Sequence, residues 1–218
     1  RWISLGISNF QVVEAAKVLI IIFMASYLAK YPRLDKVHMA VTFAPLGLVA
    51  VFGLILLKQP DLGSGIVIAT IVIGMIWLAG AALRHLSVLA LLVAPVIALA
   101  AMEPYRWRRI VSFIDPWADP YNSGFQLTQA LIAIGRGEIG GVGLGASIQK
   151  LFYLPEAHTD FIFAVYAEEF GLIGIFIVLI LFGLLVTRML QIGLRAYEAK
   201  KPFAAFISWG VGLWLGFQ

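Results

Sequence analysis

The sequence contains no cysteine and few charged side chains. Without cysteine, its 218 residues form no disulfide, offer no thiol nucleophile and bind no metal through sulfur. Only 13% of the residues are charged, about half of the share in a soluble domain, whereas 61% are hydrophobic. Because a soluble core of this size cannot bury so much apolar surface, soluble enzymes, nucleic-acid-binding domains and disordered chains are excluded. Most of the chain is predicted to lie in lipid.

Long apolar runs predict six transmembrane helices, since about 20 apolar residues cross the hydrocarbon core of a bilayer. The predicted spans are 12–29, 39–57, 62–83, 86–102, 161–187 and 202–218. The last span is interrupted by the end of the sequence, so we expect a fragment of a longer membrane protein. The predicted fold class is an all-α, polytopic bundle of transmembrane helices.

The connections between these spans alternate in character, which orients the bundle. The connections at 30–38, 84–85 and 188–201 are short and rich in Lys and Arg. The positive-inside rule places them in the cytoplasm, and the long loop 103–160 then lies on the outer face. The net charge of +4 reflects basic residues near anionic headgroups rather than a nucleic-acid partner.

The outer loop 103–160 is too long for a simple connection and is predicted to carry the function. Residues 123–134 are typical of a short amphipathic helix at the interface. Arg106, Arg108 and Arg109 lie close to the outer surface of the membrane, where we expect them to contact lipid headgroups, with a phosphate ligand as the alternative.

Candidate catalytic carboxylates lie where this loop meets the next span. If a helix begins at Pro155, then Glu156, Asp160 and Glu168 share one face at spacings of four and eight residues. Clustered carboxylates near a low-dielectric boundary resist ionisation, which raises the pKa toward the range of a general base. The alternative is that these acids only cap and solvate a helix end. Glu168 and Glu169, which follow an apolar run, are either functional or located at the interface.

A glycine-rich segment, residues 135–145, contains a formal G-x-G-x-x-G pattern. No strand precedes it, which excludes a dinucleotide-binding fold. Glycines allow backbone N–H groups to approach an anion, and Arg136 and Lys150 flank the segment. A lipid-linked phosphate and a flexible turn are equally compatible with this composition. The three histidines are scattered, so no metal site built from protein ligands is predicted.

Two charges within the apolar regions are predicted to form a buried pair. Lys17 lies in the span 12–29, and Asp61 lies at the start of the span 62–83. Pairing offsets part of the cost of removing each charge from water, so the pair is interpreted as a structural link between helices. Glu14, one turn from Lys17, is the alternative partner.

Several segments together resemble one family of membrane proteins. They are residues 1–6 followed by Gln11 and 14–17, residues 59–65, residues 115–129, the glycine-rich segment and residues 149–163. The strings DPWADPYNSGFQLTQ and YLPEAHTDFIFA are similar to the cell-division branch (FtsW) of the SEDS family of shape, elongation, division and sporulation proteins, more than to its elongation branch (RodA). The resemblance covers essentially the whole chain and implies a fragment of a ten-helix fold, from the fourth span to part of the ninth.

The resemblance also implies an activity and a location. Family members polymerise lipid II into glycan strands on the outer face of the bacterial inner membrane, and the cell-division branch does so at the septum. The resemblance assigns the essential loop carboxylate to Asp160 and the family's buried pair to Lys17 and Asp61. The implied partners are a class B penicillin-binding protein and the membrane proteins that regulate division.

The implied reaction is an inverting glycosyl transfer from a lipid-linked donor. Asp160 is expected to remove a proton from the attacking hydroxyl. Arg136 and Lys150, or a divalent cation such as Mg²⁺ or Mn²⁺, are expected to neutralise the departing undecaprenyl pyrophosphate. Further candidates for substrate binding are Glu156, His158, Glu168 and Glu169. A lipid II flippase and a scaffold for division proteins are the alternative functions.

Overall fold

The computed structural model describes residues 2–4, 9–31, 39–59, 61–150 and 159–218. Two short strands, β1 (Trp2–Ser4) and β2 (Asn9–Gln11), pair in antiparallel fashion at the start of the chain. The helices that follow are α1 (Val12–Ala29), α2 (Met39–Lys58), α3 (Leu62–Leu78), α4 (Leu83–Ala101), α5 (Pro104–Ile114), α6 (Phe125–Arg136), α7 (Ile162–Glu198) and α8 (Pro202–Phe217). Helices dominate the described chain, and the predicted all-α class is confirmed.

Helices occupy all six predicted spans, although the ends of some are displaced. α3 ends at Leu78 rather than at residue 83, because the chain turns at Gly80, whose φ of +82° is left-handed. α4 correspondingly begins at Leu83, three residues earlier than predicted. α7 continues as far as Glu198, beyond residue 187, where its hydrophobic run ends.

Within the described ranges, three helices are long and apolar enough to cross a membrane: α1, α2 and α7. Large apolar side chains on α7 are exposed along the helix, including Leu179, Ile180, Leu181 and Phe182. A contiguous exposed apolar surface of this kind is foreign to a water-soluble monomer and matches a lipid environment. The chain is therefore a membrane protein.

The chain forms two compact units, the first of which comprises residues 1–94 and 183–218. Its core lies among α1, α3 and α8. The fully buried side chains there include Ile21, Met24, Leu28, Ile68, Ile71, Val72, Met75 and Phe206. α8 approaches the other two helices closely because Gly210 has no side chain; an added Cβ would lie 2.7 Å from Cγ2 of Ile21 and 3.0 Å from Sδ of Met75.

The second unit comprises residues 95–182 and holds most of the candidate functional residues. It contains α5, a short 3₁₀ turn at Pro116–Ala118, α6, the glycine-rich segment and the first half of α7. α6 covers most of the short helix predicted at 123–134. It packs Ala130 and Ala133 against Ala164 of α7, which places the end of α6 beside the first turns of α7.

Candidate active site

Asp160 lies in the turn at residues 159–161, immediately before α7, and its side chain is exposed. α7 begins at Ile162, so the predicted common helix face of Asp160 and Glu168 is not formed. The backbone instead turns here, and the N–H of Ile162 donates a 3.4 Å hydrogen bond to the carbonyl of Thr159. A carboxylate just before a helix is favoured by the unpaired N–H groups of the first turn. Glu156 and His158 lie outside the described residues.

α7 is interrupted at Gly171, where φ is +64° and ψ is −163°. This conformation leaves helix backbone groups without their usual partners. Part of the glycine-rich segment, residues 137–145, supplies the missing partners. The N–H groups of Leu172 and Ile173 donate to the carbonyls of Glu138 (2.9 Å) and Ile139 (3.2 Å). The interruption and the segment therefore depend on each other.

The same segment also binds carbonyl groups on the other side of the interruption. The N–H of Val142 donates to the carbonyl of Glu168 (3.0 Å), and the N–H of Gly143 donates to the carbonyl of Glu169 (3.2 Å). A Cβ on Gly141 would collide with the Glu169 carbonyl, so the absence of a side chain allows this approach. Because these two N–H groups are occupied, they are not available to a phosphate.

Glu168 is fully buried and lies at the centre of a polar network. Its carboxylate accepts hydrogen bonds from Nη1 of Arg136 (2.9 Å) and from the hydroxyl of Ser147 (2.5 Å). The backbone N–H groups of Ile148 (3.3 Å) and Gln149 (3.4 Å) complete the set. A buried carboxylate needs this many partners to offset the cost of desolvation.

Arg136 is the basic member of this network and reaches the surface. It is the last residue of α6, and its side chain is 41% exposed, although one guanidinium nitrogen is held by the buried Glu168. A guanidinium has several N–H donors, and only part of this set is used by the carboxylate. Arg136 is therefore held in place on one side and accessible to an anion on the other.

Lys150 is held in a similar way by the next residue of α7. Its ammonium group lies 2.7 Å from a carboxylate oxygen of Glu169 and donates to the carbonyl of Gly145, also at 2.7 Å. The structure therefore brings four of the predicted site residues into two neighbouring pairs: Arg136 with Glu168, and Lys150 with Glu169.

Two buried residues of this region were not predicted from the sequence. Ser147 donates its hydroxyl to Glu168, and Gln149 is buried with its side-chain oxygen unpartnered among the described residues. Both lie in a short polar stretch between glycines and Lys150, where neither spacing nor composition distinguishes a buried side chain from an exposed one.

Lys17 is buried but is not paired with Asp61, which corrects the prediction. Its ammonium group lies 2.8 Å from the carboxylate of Glu14 and 2.9 Å from the side-chain oxygen of Gln218, and it lies over the ring of Trp214. Glu14 is three residues away on the same helix, so this contact needs no arrangement between helices. The alternative partner is the one that the structure shows.

Asp61 instead caps the first turn of α3. Its carboxylate accepts hydrogen bonds from the N–H of Ser64 (3.2 Å) and from the hydroxyl of the same residue (3.0 Å). Helix N-termini favour such a cap because their first N–H groups have no partner within the helix. The role of Asp61 is therefore local to α3.

The turn before α6 is organised by Asp119. Hydrogen bonds from the side chain of Asn122 and from the N–H and hydroxyl of Ser123 hold the pKa of Asp119 below its usual range. Since the folded-state pKa is lowered, the resulting stabilisation is present above the ordinary pKa of an aspartate. It is lost as the pH falls through the folded-state value.

The described residues do not fit a preformed site for a divalent cation. Within the described ranges, no group of three or more His, Asp and Glu side chains comes together. The neighbouring carboxylates of Glu168 and Glu169 bind basic side chains instead. The arrangement offers two anchored cations for an anionic group and, in Asp160, one exposed carboxylate that has no ion-pair partner among the described residues.

Comparison with known proteins gives a consistent result over the entire chain. The family model for FtsW, RodA and SpoVE, described as cell cycle proteins, matches residues 1–218. The chain is 50% identical to the probable peptidoglycan glycosyltransferase FtsW of Alkalilimnicola ehrlichii and 47% identical to that of Coxiella burnetii. All of this chain is aligned, but only 55% and 59% of those relatives, so it spans little more than half of their length.

A solved structure is similar as well. It belongs to a peptidoglycan synthase complex, and its description reads "Structural coordination of polymerization and crosslinking by a peptidoglycan synthase complex". The match has a TM-score of 0.69 and 30% sequence identity, and it covers 99% of this chain and 59% of that one.

Proposed function

The chain belongs to the family of cell cycle proteins that comprises FtsW, RodA and SpoVE, and from this premise we propose that the protein is a peptidoglycan glycosyltransferase of the FtsW type. It polymerises lipid II into β-1,4-linked glycan strands during septal cell-wall synthesis. The two named relatives are 50% and 47% identical to this chain, and they support the assignment to the cell-division branch.

One observation carries the proposal: the turn before α7 exposes a carboxylate, and α7 itself anchors two basic side chains. Asp160 is exposed in the turn before this helix, while Glu168 and Glu169 within it anchor Arg136 and Lys150. From Ile162 to Glu168 the helix rises roughly 9 Å, at about 1.5 Å per residue. The turn before α7 therefore carries the carboxylate, and Glu168 and Glu169 hold the two cations further along the helix, so that the base and the leaving-group site have separate positions.

In the proposed reaction, Asp160 is the general base. The 4-hydroxyl of the acceptor sugar loses its proton to the Asp160 carboxylate, and its oxygen forms a bond to C1 of the lipid-linked donor. The bond from C1 to the phosphate oxygen breaks, and the electron pair leaves with undecaprenyl pyrophosphate. Attack opposite the leaving group converts an α-linked donor into a β-1,4 linkage.

Arg136 and Lys150 bind the pyrophosphate in this proposal. Negative charge accumulates on the leaving group, and a guanidinium matches the geometry of phosphate oxygens. Glu168 acts through Arg136 as a positioning residue, because its carboxylate is fully buried and faces the guanidinium. The reaction has no step assigned to a divalent cation; Mg²⁺ or Mn²⁺ in place of these two side chains stays a prediction from the sequence.

The location and partners follow from the same premise. We place loop 103–160 on the periplasmic face of the bacterial inner membrane, because the short connections on the opposite face of the bundle are the ones rich in Lys and Arg. The proposed location within that membrane is the division septum. The similar solved structure is a complex that couples polymerization to crosslinking, which supports a class B penicillin-binding protein as partner. Division membrane proteins that regulate this pair are further proposed partners.

Polymerisation of lipid II by the full-length protein and its penicillin-binding partner tests the proposal. Transpeptidation is blocked with a β-lactam, and Asp160→Asn is compared with Glu103→Gln. Glu103 is a matched control because it is an exposed acid of the same loop whose side chain makes no capping hydrogen bond. We expect Asp160→Asn to lose roughly 10²- to 10⁴-fold in rate while Glu103→Gln polymerises normally.

Folding and complex formation of both variants are checked by size-exclusion chromatography. Normal polymerisation by a folded Asp160→Asn variant would rule out the proposed base. If the wild type instead moved labelled lipid II across vesicles without polymerising it, the flippase alternative would replace the enzyme. A wild-type protein that did neither, yet still recruited its division partners, would be a scaffold.

A further inference from the structure

α5 is a surface helix with no buried residue, although it is rich in apolar side chains. Trp107, Ile110, Val111 and Ile114 are all exposed and recur at the spacing i, i+3, i+4, i+7. This spacing places them on one face of the helix. Ile114 is 77% exposed, although a large apolar side chain of this kind is usually buried. The apolar face of α5 is therefore open at this end.

The opposite face of α5 is basic. Arg108, Arg109 and Ser112 fall on that side, and residues 104–114 include no Asp or Glu. Arg109 lies over the ring of Tyr105, with its guanidinium 4.7 Å from the ring centre. In the described part of the chain, neither Arg108 nor Arg109 forms an ion pair, so their charges remain available for another anion.

The position of α5 along the chain indicates what covers it. The helix begins at Pro104, directly after the apolar helix α4, which ends at Ala101. A short helix at the end of an apolar one lies near the membrane surface. There, an apolar face enters the acyl boundary while arginines meet phosphate groups, and Trp and Tyr are favoured. Arginines that form no ion pair within the described part of the chain complement an anionic surface.

We propose that α5 lies in the plane of the membrane and binds anionic phospholipid, with Arg108 and Arg109 holding lipid phosphates above the apolar face. This surface enriches anionic lipid beside the loop that follows it. The proposal is independent of the glycosyltransferase assignment, since neither arginine has a role in that reaction.

The test uses full-length protein with a single fluorescent label, reconstituted in vesicles. The 218 residues contain no cysteine, so Ile114→Cys and Ser112→Cys each place one label on α5, once any cysteine elsewhere in the full-length protein has been replaced. The vesicles contain phosphatidylcholine and phosphatidylglycerol, and the bromines that quench fluorescence are on the acyl chains of one lipid or the other. Quenching then reports both the depth of each face and the lipid next to it.

We expect acyl-chain bromines to quench the label at position 114 strongly and the label at position 112 weakly. At equal amounts, brominated phosphatidylglycerol should quench position 114 more than brominated phosphatidylcholine does. The double substitution Arg108→Gln/Arg109→Gln should reduce this preference by about fivefold for each arginine removed. The charge-matched substitution Arg188→Gln/Arg195→Gln, in exposed residues of α7, should leave the preference unchanged.

Three results would overturn the proposal. Equal quenching of positions 112 and 114 would mean that α5 does not lie with its apolar face in the membrane. Equal quenching of position 114 by the two brominated lipids, with both arginines present, would mean that the arginines do not select anionic lipid. Protection of position 114 from both lipids on addition of the penicillin-binding partner would make this face a protein-binding surface.

Discussion

Among single side chains, Glu168 shows why a buried charge in this chain is tolerated. It is accessible to neither water nor lipid, yet its two carboxylate oxygens accept hydrogen bonds from a guanidinium, a hydroxyl and two backbone N–H groups. Such a network is costly to break, because removal of the acceptor leaves its donors without partners. The network also fixes the position of Arg136, which links the stability of this region to its chemistry.

Glu168→Ala is expected to lower the free energy of unfolding by about 2–3 kcal/mol, because the buried Ser147 hydroxyl and the backbone N–H groups of Ile148 and Gln149 lose their acceptor. Glu168→Gln keeps the size of the side chain and should cost less. Thermal unfolding of the full-length protein in detergent measures both changes. Glu198→Ala, which removes an exposed carboxylate of the same helix, is the control and should change stability by no more than about 0.5 kcal/mol. Equal effects of Glu168→Ala and Glu198→Ala would contradict the network.

The sequence offers two acidic residues, Glu14 and Asp61, as the partner of the buried Lys17. In the structure Lys17 is 3% exposed and binds Glu14, which is 35% exposed, while Asp61 caps α3. Glu14→Gln should therefore destabilise the protein by about 1–3 kcal/mol, because a buried ammonium loses its carboxylate. Asp61→Asn should be nearly neutral, since Asn caps a helix as well as Asp does.

Thermal unfolding of these two variants distinguishes the alternatives. If Asp61→Asn proves at least as destabilising as Glu14→Gln, the buried pair of Lys17 is with Asp61 rather than with Glu14.

Among the helices, α7 combines a membrane-crossing segment with the framework of the site. At Gly171 the series of backbone hydrogen bonds within the helix is interrupted, and the glycine-rich segment forms hydrogen bonds there instead. Glycine is required for two reasons: φ is +64°, and an added Cβ would lie 2.6 Å from the carbonyl oxygen of Ile139 and 2.7 Å from that of Gly137. Neither reason applies to Gly183, further along the same helix, where an added Cβ would meet no atom within 4 Å.

Gly171→Ala and Gly183→Ala are therefore expected to have opposite effects. Gly171→Ala should destabilise the protein by more than about 1 kcal/mol, since strain adds to the collision with the segment. Gly183→Ala should be neutral or stabilising by up to about 1 kcal/mol, as expected for the interior of a helix. Thermal unfolding of the two variants provides the comparison. A stable, fully active Gly171→Ala variant would show that the interruption is dispensable.

The helices themselves were largely predictable, because apolar composition over about 20 residues is a strong signal. α1 has the predicted bounds, and α2 and α8 differ from the predicted spans by a single residue. The interruption at Gly171 was not predictable. The residues on both sides of Gly171 are apolar, so the composition does not distinguish a continuous helix from an interrupted one.

The partners of the charged residues were predictable only in part. Spacing identified Glu14 as an alternative partner for Lys17, but the choice over Asp61 depends on how the helices are arranged. Arg136 and Glu168 are each recognisable as unusual charges in the sequence. Their pairing depends on the packing of α6 beside α7, which a local pattern does not contain. The exposed position of Asp160 depends likewise on where α7 begins.

Across the whole chain, the two compact units differ in chemical character. The first unit is an apolar helical core that contains the buried Lys17, and the second carries the anchored cations and Asp160. This division is compatible with the proposed substrate, which has a long lipid tail and a polar, charged head. In the proposed reaction, two side chains of the second unit have separate roles: Asp160 moves a proton, and Arg136 binds the leaving group.

This separation is testable by measuring lipid II affinity and polymerisation rate side by side in the full-length complex. Asp160→Asn should bind lipid II with unchanged affinity while its turnover falls roughly 10²- to 10⁴-fold. Arg136→Gln should weaken binding about tenfold or more, since a charge-assisted contact to phosphate is lost. If Asp160→Asn polymerised at the wild-type rate, or lost binding in proportion to turnover, Asp160 would not be the base.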